Sequence, residues 1–122
     1  MIVLKRNSPL DDYIKTGEEI NAKVTESLIE SIFNKHSPLH DGAIIISGNR
    51  IIAAKCILPI SDKIDLPPDF GLRHRAALGL SIETDAIIIV VSEESGNISI
   101  AELGNIEIIN KKILFSVLRE KF

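Results

Sequence analysis

The stretch GAIIISGNRIIAAKCIL, residues 42–58, decides the fold of this chain. It contains two nearly continuous apolar runs, residues 42–47 and 50–58, separated by Gly48 and Asn49, a pair typical of a tight hairpin turn. Strands that are apolar on both faces are usually covered on both faces. We therefore predict two adjacent strands near the centre of a sheet, with other elements packed above and below it.

Further strand and helix signals surround this hairpin. Apolar residues at helical spacing predict a helix that ends near Asn34, with Thr25 as its N-terminal cap. The remaining predicted helices are a short segment at 10–14, one starting at Gly71 and one at 111–122, the last with Ile113, Leu114, Val117 and Leu118 facing inward. The remaining predicted strands are residues 2–4, 85–92, 98–102 and 106–109, whereas residues 15–19 carry turn signals and residues 59–70 an exposed loop.

These elements predict an α/β (α+β) fold, a single domain with a central mixed β-sheet flanked by helices on both faces. A chain of 122 residues is long enough for one continuous core. The many isoleucines and the small aromatic content, four Phe and one Tyr, favour a core dominated by a sheet.

Composition excludes several classes of function. The net charge of -3, without a basic block, argues against nucleic acid as the main partner. Cys56 is the single cysteine, which rules out a disulfide within the chain and favours a buried, inert thiol in a reducing, intracellular compartment. The longest apolar run, residues 86–91, is too short to span a bilayer, so we expect no membrane insertion of this chain.

Asp41 stands at the entrance of the first hairpin strand, directly before Gly42 and Ala43. A carboxylate beside two small residues can act as a general base or bind a divalent metal where a ligand approaches the backbone. The same residues are equally compatible with a simple turn before a strand. The neighbouring His40 points to the other side of an extended backbone, and a lone histidine is more often structural than a ligand.

Arg73, His74 and Arg75 give the stronger signal, because they follow Gly71 at a predicted helix start. Guanidinium groups and the free amides of a helix N-terminus both attract phosphate. We therefore favour a phosphate site over a solvated charged surface.

Glu93 and Glu94 follow a predicted strand and offer hard oxygen ligands for Mg²⁺ or Mn²⁺, although alone they are typical of an acidic turn. Strand starts, strand ends and helix N-termini converge at one edge of many α/β sheets, where ligands bind. Asp41, Arg73 and Glu94 are therefore predicted to share a pocket for a polyphosphate and a metal ion.

The two motifs resemble the signature blocks of diadenylate cyclase domains, which make cyclic di-AMP from two ATP molecules. The resemblance rests on residues 41–43 and 73–75 together with their flanks, residues 37–40 and 91–94, and follows nearly the whole chain in order. It implies a catalytic domain over residues 1–122, without the helix that usually precedes its first strand and without an upstream tether. Family members are often tethered to membranes, and a cytoplasmic location is expected for this domain.

The resemblance also implies roles for individual residues. Asp41 assists deprotonation of the ribose 3′-hydroxyl and forms the catalytic set with Arg73, His74 and Arg75. The metal, Mg²⁺ or Mn²⁺, is placed by His40, Asp41 and Glu94. ATP is bound by Gly42, Ala43, Leu58, Gly71, Leu72, Arg73, His74, Arg75 and Ser92. Because each domain holds one ATP, the implied partner is a second copy of the chain, and a domain alone binds without cyclising.

Two positions depart from the family pattern. Leu72 stands where members usually carry a threonine that can reach a phosphate, and Ile57 where some carry a tyrosine that stacks on adenine. The alternative function is therefore a catalytically weak or inactive module of the same fold that binds ATP or cyclic di-AMP. A structural interaction domain without a nucleotide is a third possibility.

Overall fold

The computed structural model describes residues 1–63 and 65–122, and within them seven strands form one sheet. The strands are β1 (Ile2–Leu4), β2 (Glu18–Lys23), β3 (Ala43–Ser47), β4 (Arg50–Cys56), β5 (Ile87–Val91), β6 (Ile98–Glu102) and β7 (Asn105–Ile109). The helices are α1 (Asp11–Ile14), α2 (Glu26–Phe33), α3 (Leu72–Glu83) and α4 (Leu114–Lys121), with a 3-10 turn at Lys111–Ile113 before α4.

The sheet is mixed, with the strand order β2-β4-β3-β1-β5-β6-β7. The short strand β1 pairs parallel with β3 and antiparallel with β5. The predicted hairpin is confirmed as β3 and β4, which pair antiparallel with Ser47 opposite Arg50. Both strands lie inside the sheet, and Ile44, Ile45 and Ile51 are completely buried, as the continuous apolar runs predict.

Helices cover both faces of this sheet, which confirms the predicted architecture. On one face, Ala76, Ala77 and Leu80 of α3 pack in one cluster with Ile45 and Ile88. On the other face, Ile32 of α2 packs in a second cluster with Ile44, Ile46 and Ile51. The alternation of Ile44, Ile45 and Ile46 between the two clusters follows from the two-residue period of a strand.

The N-terminus of α2 forms as its sequence predicts. The Thr25 hydroxyl accepts a hydrogen bond from the Leu28 amide at 3.1 Å and so satisfies one of the free donors of the first turn. Residues Val24, Leu28, Ile29 and Phe33 pack against the sheet with Ile32.

Two expectations from the sequence are wrong. Part of the predicted turn at residues 15–19 belongs to β2, an edge strand that pairs with β4 and has no fully buried residue. At the other end, Ile113 is 49% exposed rather than inward, because α4 begins one residue later and has no buried residue. The end of α4 is instead held by polar contacts, since Arg6 donates to the Lys121 carbonyl oxygen at 2.7 Å and Lys121 pairs with Glu102.

The predicted loop at residues 59–70 contains no helix or strand in its described part, but it is anchored to α3. The Ser61 amide donates to the Arg75 carbonyl oxygen at 3.0 Å. A Cβ atom on Gly79 would stand 2.7 Å from the carbonyl carbon of Pro59, so the loop backbone lies directly against the helix at this glycine. In the described part of the chain, no helix combines the length and the apolar character needed to cross a bilayer.

Replacing Gly79 with alanine should destabilise the domain, although alanine is the better helix former. The added methyl group must displace the Pro59 backbone, an overpacking that typically costs about 1–3 kcal/mol. Urea unfolding followed by circular dichroism measures this loss. Ile82→Ala, at a residue of the same helix that is 61% exposed, should change the free energy of unfolding by less than about 0.5 kcal/mol. Equal stability of Gly79→Ala and the parent chain would refute the close contact.

Candidate active site

The residues of both motifs lie at one edge of the sheet. Because β1 is parallel to β3 and antiparallel to β5, the start of β3 and the end of β5 face the same way. Asp41 precedes β3, Ser92 follows β5, and Arg73 lies in the first turn of α3. The sheet topology thus brings together residues that are far apart in the sequence.

Three adjoining cavities open at this edge. The first, of about 320 Å³, we call the apolar cavity, since Ile57, Leu58, Ile60, Leu72 and Ala76 line much of it. The second, of about 280 Å³, is the acidic cavity, lined by Asp41, Asp69, Glu93 and Glu94 together with Ser92, Gly71 and His74. The third, of about 400 Å³, we call the basic cavity, since Lys35 and Arg73 line it with His40, Ser92 and Glu93; its other lining residues are apolar, Met1, Ile2, Phe33, Ile89 and Val91.

Arg73 lines all three cavities, and Asp41 lines the apolar and the acidic one. The Arg73 guanidinium is paired with Glu93, with 2.7 Å between Nη2 and Oε1. The structure therefore brings Asp41, Arg73 and Glu94 to one cavity, as the sequence predicts, with Arg73 at the junction of the whole site.

The structure explains why residue 42 is a glycine. Its φ angle of +110° is unfavourable for a residue with a Cβ atom, and such an atom would stand 2.9 Å from the Lys55 carbonyl carbon. Lys55 itself has a φ of +57° at a register shift between β3 and β4. The glycine thus makes room for the bulged backbone of β4, and this crowding holds Asp41 at the cavity mouth.

Ala43 does not line the site. It is completely buried, pairs with Cys56 and packs in the core on the α3 side, so its contact with ATP stays a prediction. Its place next to Gly42 is in the floor beneath the site. Cys56, predicted as an inert thiol, is buried and lines the apolar cavity, and burial raises its pKa to about 11.

The three residues of the second motif have three different environments. Arg73 faces the cavities, whereas the Arg75 guanidinium donates to the carbonyl oxygens of Ser61, at 3.4 Å, and Lys63. Arg75 therefore fastens the loop at residues 59–70 to α3. Its direct contact with ATP stays a prediction, and the geometry favours a positioning role.

His74 is only 4% exposed and stacks on Phe70 with 4.2 Å between ring centroids. Its Nδ1 accepts a hydrogen bond from the Gly71 amide at 3.1 Å, which caps α3 and requires that Nδ1 carry no proton. Burial lowers the pKa of His74, the charge of Asp69 opposes this shift, and that of Arg73 adds to it. His74 therefore organises the helix start as a neutral ring.

His40 has the geometry of an oriented ligand. Its Nδ1 lies 2.8 Å from the Ser37 carbonyl oxygen, which can only accept, so Nδ1 carries the proton and Nε2 is left free to bind. His40 lines the basic cavity, however, whereas Asp41 and Glu94 line the acidic one. No group of three or more His, Cys, Asp or Glu side chains suited to a metal occurs among the described residues. The assignment of His40, Asp41 and Glu94 to one metal ion stays a prediction.

The remaining predicted residues line the site. Leu58 lies in the apolar cavity, Gly71 and Ser92 lie in the acidic cavity, and Leu72, which is 70% exposed, lies in both.

The sequence analysis did not predict three further residues that line the cavities, Lys35, Asp69 and Thr16. The Thr16 hydroxyl accepts from the Ile57 amide at 2.8 Å and fixes the rim of the apolar cavity. No pattern in the sequence marks these three, because each reaches the site from a loop.

Comparison with known proteins identifies the same family as the motifs. The family model described as "DAC: DisA bacterial checkpoint controller nucleotide-binding" matches residues 1–106. A diadenylate cyclase of Listeria monocytogenes is 50% identical over 106 residues, 87% of this chain and 39% of that protein. Diadenylate cyclase CdaS of Bacillus thuringiensis is 48% identical over 104 residues, 85% of this chain and 52% of that protein. The chain thus spans from about two fifths to about half of the length of these two relatives.

Solved structures show the same fold. A double mutant of DacA from Staphylococcus aureus superposes with a TM-score of 0.93 and 40% identity, covering 98% of this chain and 80% of that one. A hypothetical membrane spanning protein from Bacillus cereus superposes with a TM-score of 0.84 and 47% identity, covering 89% of this chain and 53% of that one.

The neutral state of His74 predicts how stability depends on pH. Since its pKa in the folded chain is below the ordinary value of 6.5, the unfolded chain binds more protons in the window just below pH 6.5. The contribution of His74 to the free energy of unfolding should therefore be complete above about pH 6.5, and the free energy of unfolding should decrease as the pH falls below that value. Urea unfolding between pH 5 and 8 measures the slope.

His74→Gln is the informative variant, because a glutamine three residues after the cap can still accept the Gly71 amide without titrating. It should lose part of this slope, whereas His36→Gln, at an exposed histidine, should retain it. An unchanged slope in His74→Gln would show that His74 is not the group responsible.

Proposed function

The chain belongs to the DAC family of nucleotide-binding domains, and on that premise we propose that it condenses two ATP molecules into cyclic di-AMP with release of two pyrophosphates. The observation that carries this proposal is the junction at Arg73, where an apolar cavity that fits a nucleobase opens beside Asp41 and two charged cavities. In each half-reaction, a ribose 3′-oxygen bonds to the α-phosphorus of the other ATP, and the bond to pyrophosphate breaks.

We assign a separate role in this reaction to each group of residues. Leu58, Ile57 and Leu72 offer apolar surface to the adenine, and Thr16 holds this rim in place. Arg73 neutralises charge on the α-phosphate, an electrostatic role that phosphoryl transfer requires more than covalent chemistry. Asp41 stands between the apolar and the acidic cavity, where it can take the proton of the attacking 3′-hydroxyl.

A divalent metal, Mg²⁺ or Mn²⁺, fits the donors present. Mg²⁺ is commonly held by one or two carboxylates, with substrate phosphates and water completing its shell. Asp41 and Glu94 in the acidic cavity supply such carboxylates, and His40 has a free Nε2 in the adjoining cavity. When bound, the metal neutralises the charge that develops on the phosphates.

Catalysis is proposed to need two copies of the chain. One copy presents a single Asp41 and a single apolar cavity, enough for one nucleotide, whereas the product joins two. Two copies that face each other at this edge of the sheet place each 3′-hydroxyl against the α-phosphate of the other copy's nucleotide. The reaction is proposed to occur in the cytoplasm, where ATP is available.

Asp41→Asn should abolish synthesis of cyclic di-AMP while leaving ATP binding within a few-fold of the parent chain. The amide retains the shape of the carboxylate but cannot take up the proton. Chromatography of the products formed from ATP and Mn²⁺ measures synthesis, and calorimetric titration of ATP measures binding.

At limiting protein, the rate of cyclic di-AMP synthesis by the parent chain should rise more steeply than linearly with protein concentration. A dimeric preparation that forms no product would refute the cyclase proposal.

Leu72→Thr should tighten ATP binding by about two- to tenfold, the effect of one additional hydrogen bond of about 0.5–1.5 kcal/mol. Leu72 lines the apolar and acidic cavities and is exposed, so its replacement disturbs little packing. Leu72→Val is the matched control, since valine has the shape of threonine without the hydroxyl. Equal affinities of the two variants in calorimetry would show that this position reaches no phosphate.

The second candidate function is a binding module that holds ATP or cyclic di-AMP without turnover. Leu72 favours it, because the chain lacks a hydroxyl at the phosphate end of α3. Saturable nucleotide binding without pyrophosphate release identifies this function. If millimolar ATP does not raise the melting temperature, neither candidate holds, because a ligand that binds the native state must stabilise it.

A further inference from the structure

The rim of the apolar cavity at Ile57 lies beyond the hydrogen-bond ladder of the sheet. Strand β4 ends at Cys56, which pairs with Ala43. Leu58 is 5% exposed and packs in the core on the α3 side, whereas Ile57 is 69% exposed. Packing therefore holds Leu58 in place, but the position of Ile57 depends on what holds its backbone.

The Thr16 hydroxyl is the group that holds this backbone. It accepts a hydrogen bond from the Ile57 amide at 2.8 Å and donates its own proton to the Tyr13 carbonyl oxygen at 2.6 Å. Because a hydroxyl has a single proton to donate, these two contacts fix its orientation. One side-chain oxygen thus links the rim of the cavity to the backbone of α1.

The backbone next to Thr16 lies directly against β4. A Cβ atom on Gly17 would stand 2.7 Å from Cys56 Sγ and closer still to the Ala54 carbonyl oxygen. The next residue, Glu18, pairs with Ala54 where β2 begins. The segment that carries Thr16 is therefore itself fixed on the sheet, so the hydrogen bond to Ile57 transmits a defined position to the rim.

We propose that Thr16 is a positioning residue for the nucleobase, an inference that rests on the proposed function. Its proton is engaged by Tyr13, so it acts through Ile57 rather than on the nucleotide. A rim that is ordered in advance does not have to be ordered when the nucleotide binds, and this raises affinity. A two-ring purine offers more surface to the rim than a one-ring pyrimidine, so the same hydrogen bond favours adenine over cytosine.

The test compares two nucleotides that have the same phosphates and different bases. 3′-Deoxy-ATP and 3′-deoxy-CTP lack the attacking hydroxyl, so calorimetric titration at a fixed Mg²⁺ concentration measures binding without turnover. Thr16→Val keeps the shape of the side chain but removes its hydroxyl. It should weaken 3′-deoxy-ATP about three- to tenfold, as loss of one hydrogen bond predicts, and 3′-deoxy-CTP less than about twofold. Thr16→Ser retains the hydroxyl and should restore most of the affinity for 3′-deoxy-ATP.

Tyr13→Phe is the matched control on the same segment. It removes a hydroxyl that bonds to Glu83, a residue that lines none of the three cavities, and retains the carbonyl oxygen that Thr16 uses. This variant should alter the affinity for neither nucleotide.

The positioning role is overturned if Thr16→Val binds 3′-deoxy-ATP as the parent chain does, or if it weakens both nucleotides equally, as a general disturbance of the site would. The cyclase proposal fails separately. A parent chain that forms no cyclic di-AMP, but in which Thr16→Val has this base-dependent effect, is a nucleotide-binding module whose rim is positioned by Thr16.

Discussion

The position of β1 between β3 and β5 is the constraint on which the site depends. This strand has only three residues, yet it pairs parallel with β3 and antiparallel with β5. If β1 were antiparallel to both, the start of β3 and the start of β5 would share an edge, and Asp41 would face the wrong end of β5. The mixed pairing instead sets Asp41 and Ser92 at one edge, where α3 also begins. Val3, completely buried at the middle of β1, anchors this arrangement in the core.

A second constraint positions the carboxylate within that edge. The bulge of β4 at Lys55 presses on Gly42, and a side chain at residue 42 would collide with it. The turn at Asp41 is therefore fixed by backbone crowding, and within the described part of the chain the Asp41 carboxylate forms no salt bridge. The bulge lies just before the end of β4, which is followed by Ile57 and Leu58, so one irregularity in the sheet borders both the Asp41 carboxylate and the apolar cavity.

The sequence predicts most of the fold because its strands are nearly pure apolar runs and its long helices are amphipathic or rich in small residues. It does not reveal β2, whose residues alternate between exposed and half-buried positions at the sheet edge and whose Asn21 adopts a φ of +49°. In the sequence Arg73 and Arg75 look like one cluster, although the side chains of two residues that are two positions apart in a helix point in directions about 200° apart. That period alone predicts that only one of the two arginines can face the cavities.

The division of the second motif into three tasks has an electrostatic consequence. His74 caps α3 through an unprotonated nitrogen, and the Arg75 guanidinium is hydrogen-bonded to the loop, so Arg73 is the residue of this motif that lines all three cavities as a cation. The positive charge that this motif presents where the three cavities meet is therefore that of Arg73 and of the free amides at the start of α3. One guanidinium cannot balance the charge of a triphosphate, particularly beside the carboxylates of Asp41, Asp69 and Glu94. Tight binding of a triphosphate at this edge of the sheet would therefore require further cations, such as a bound metal ion, Lys55 of the apolar cavity or Lys35 of the basic cavity.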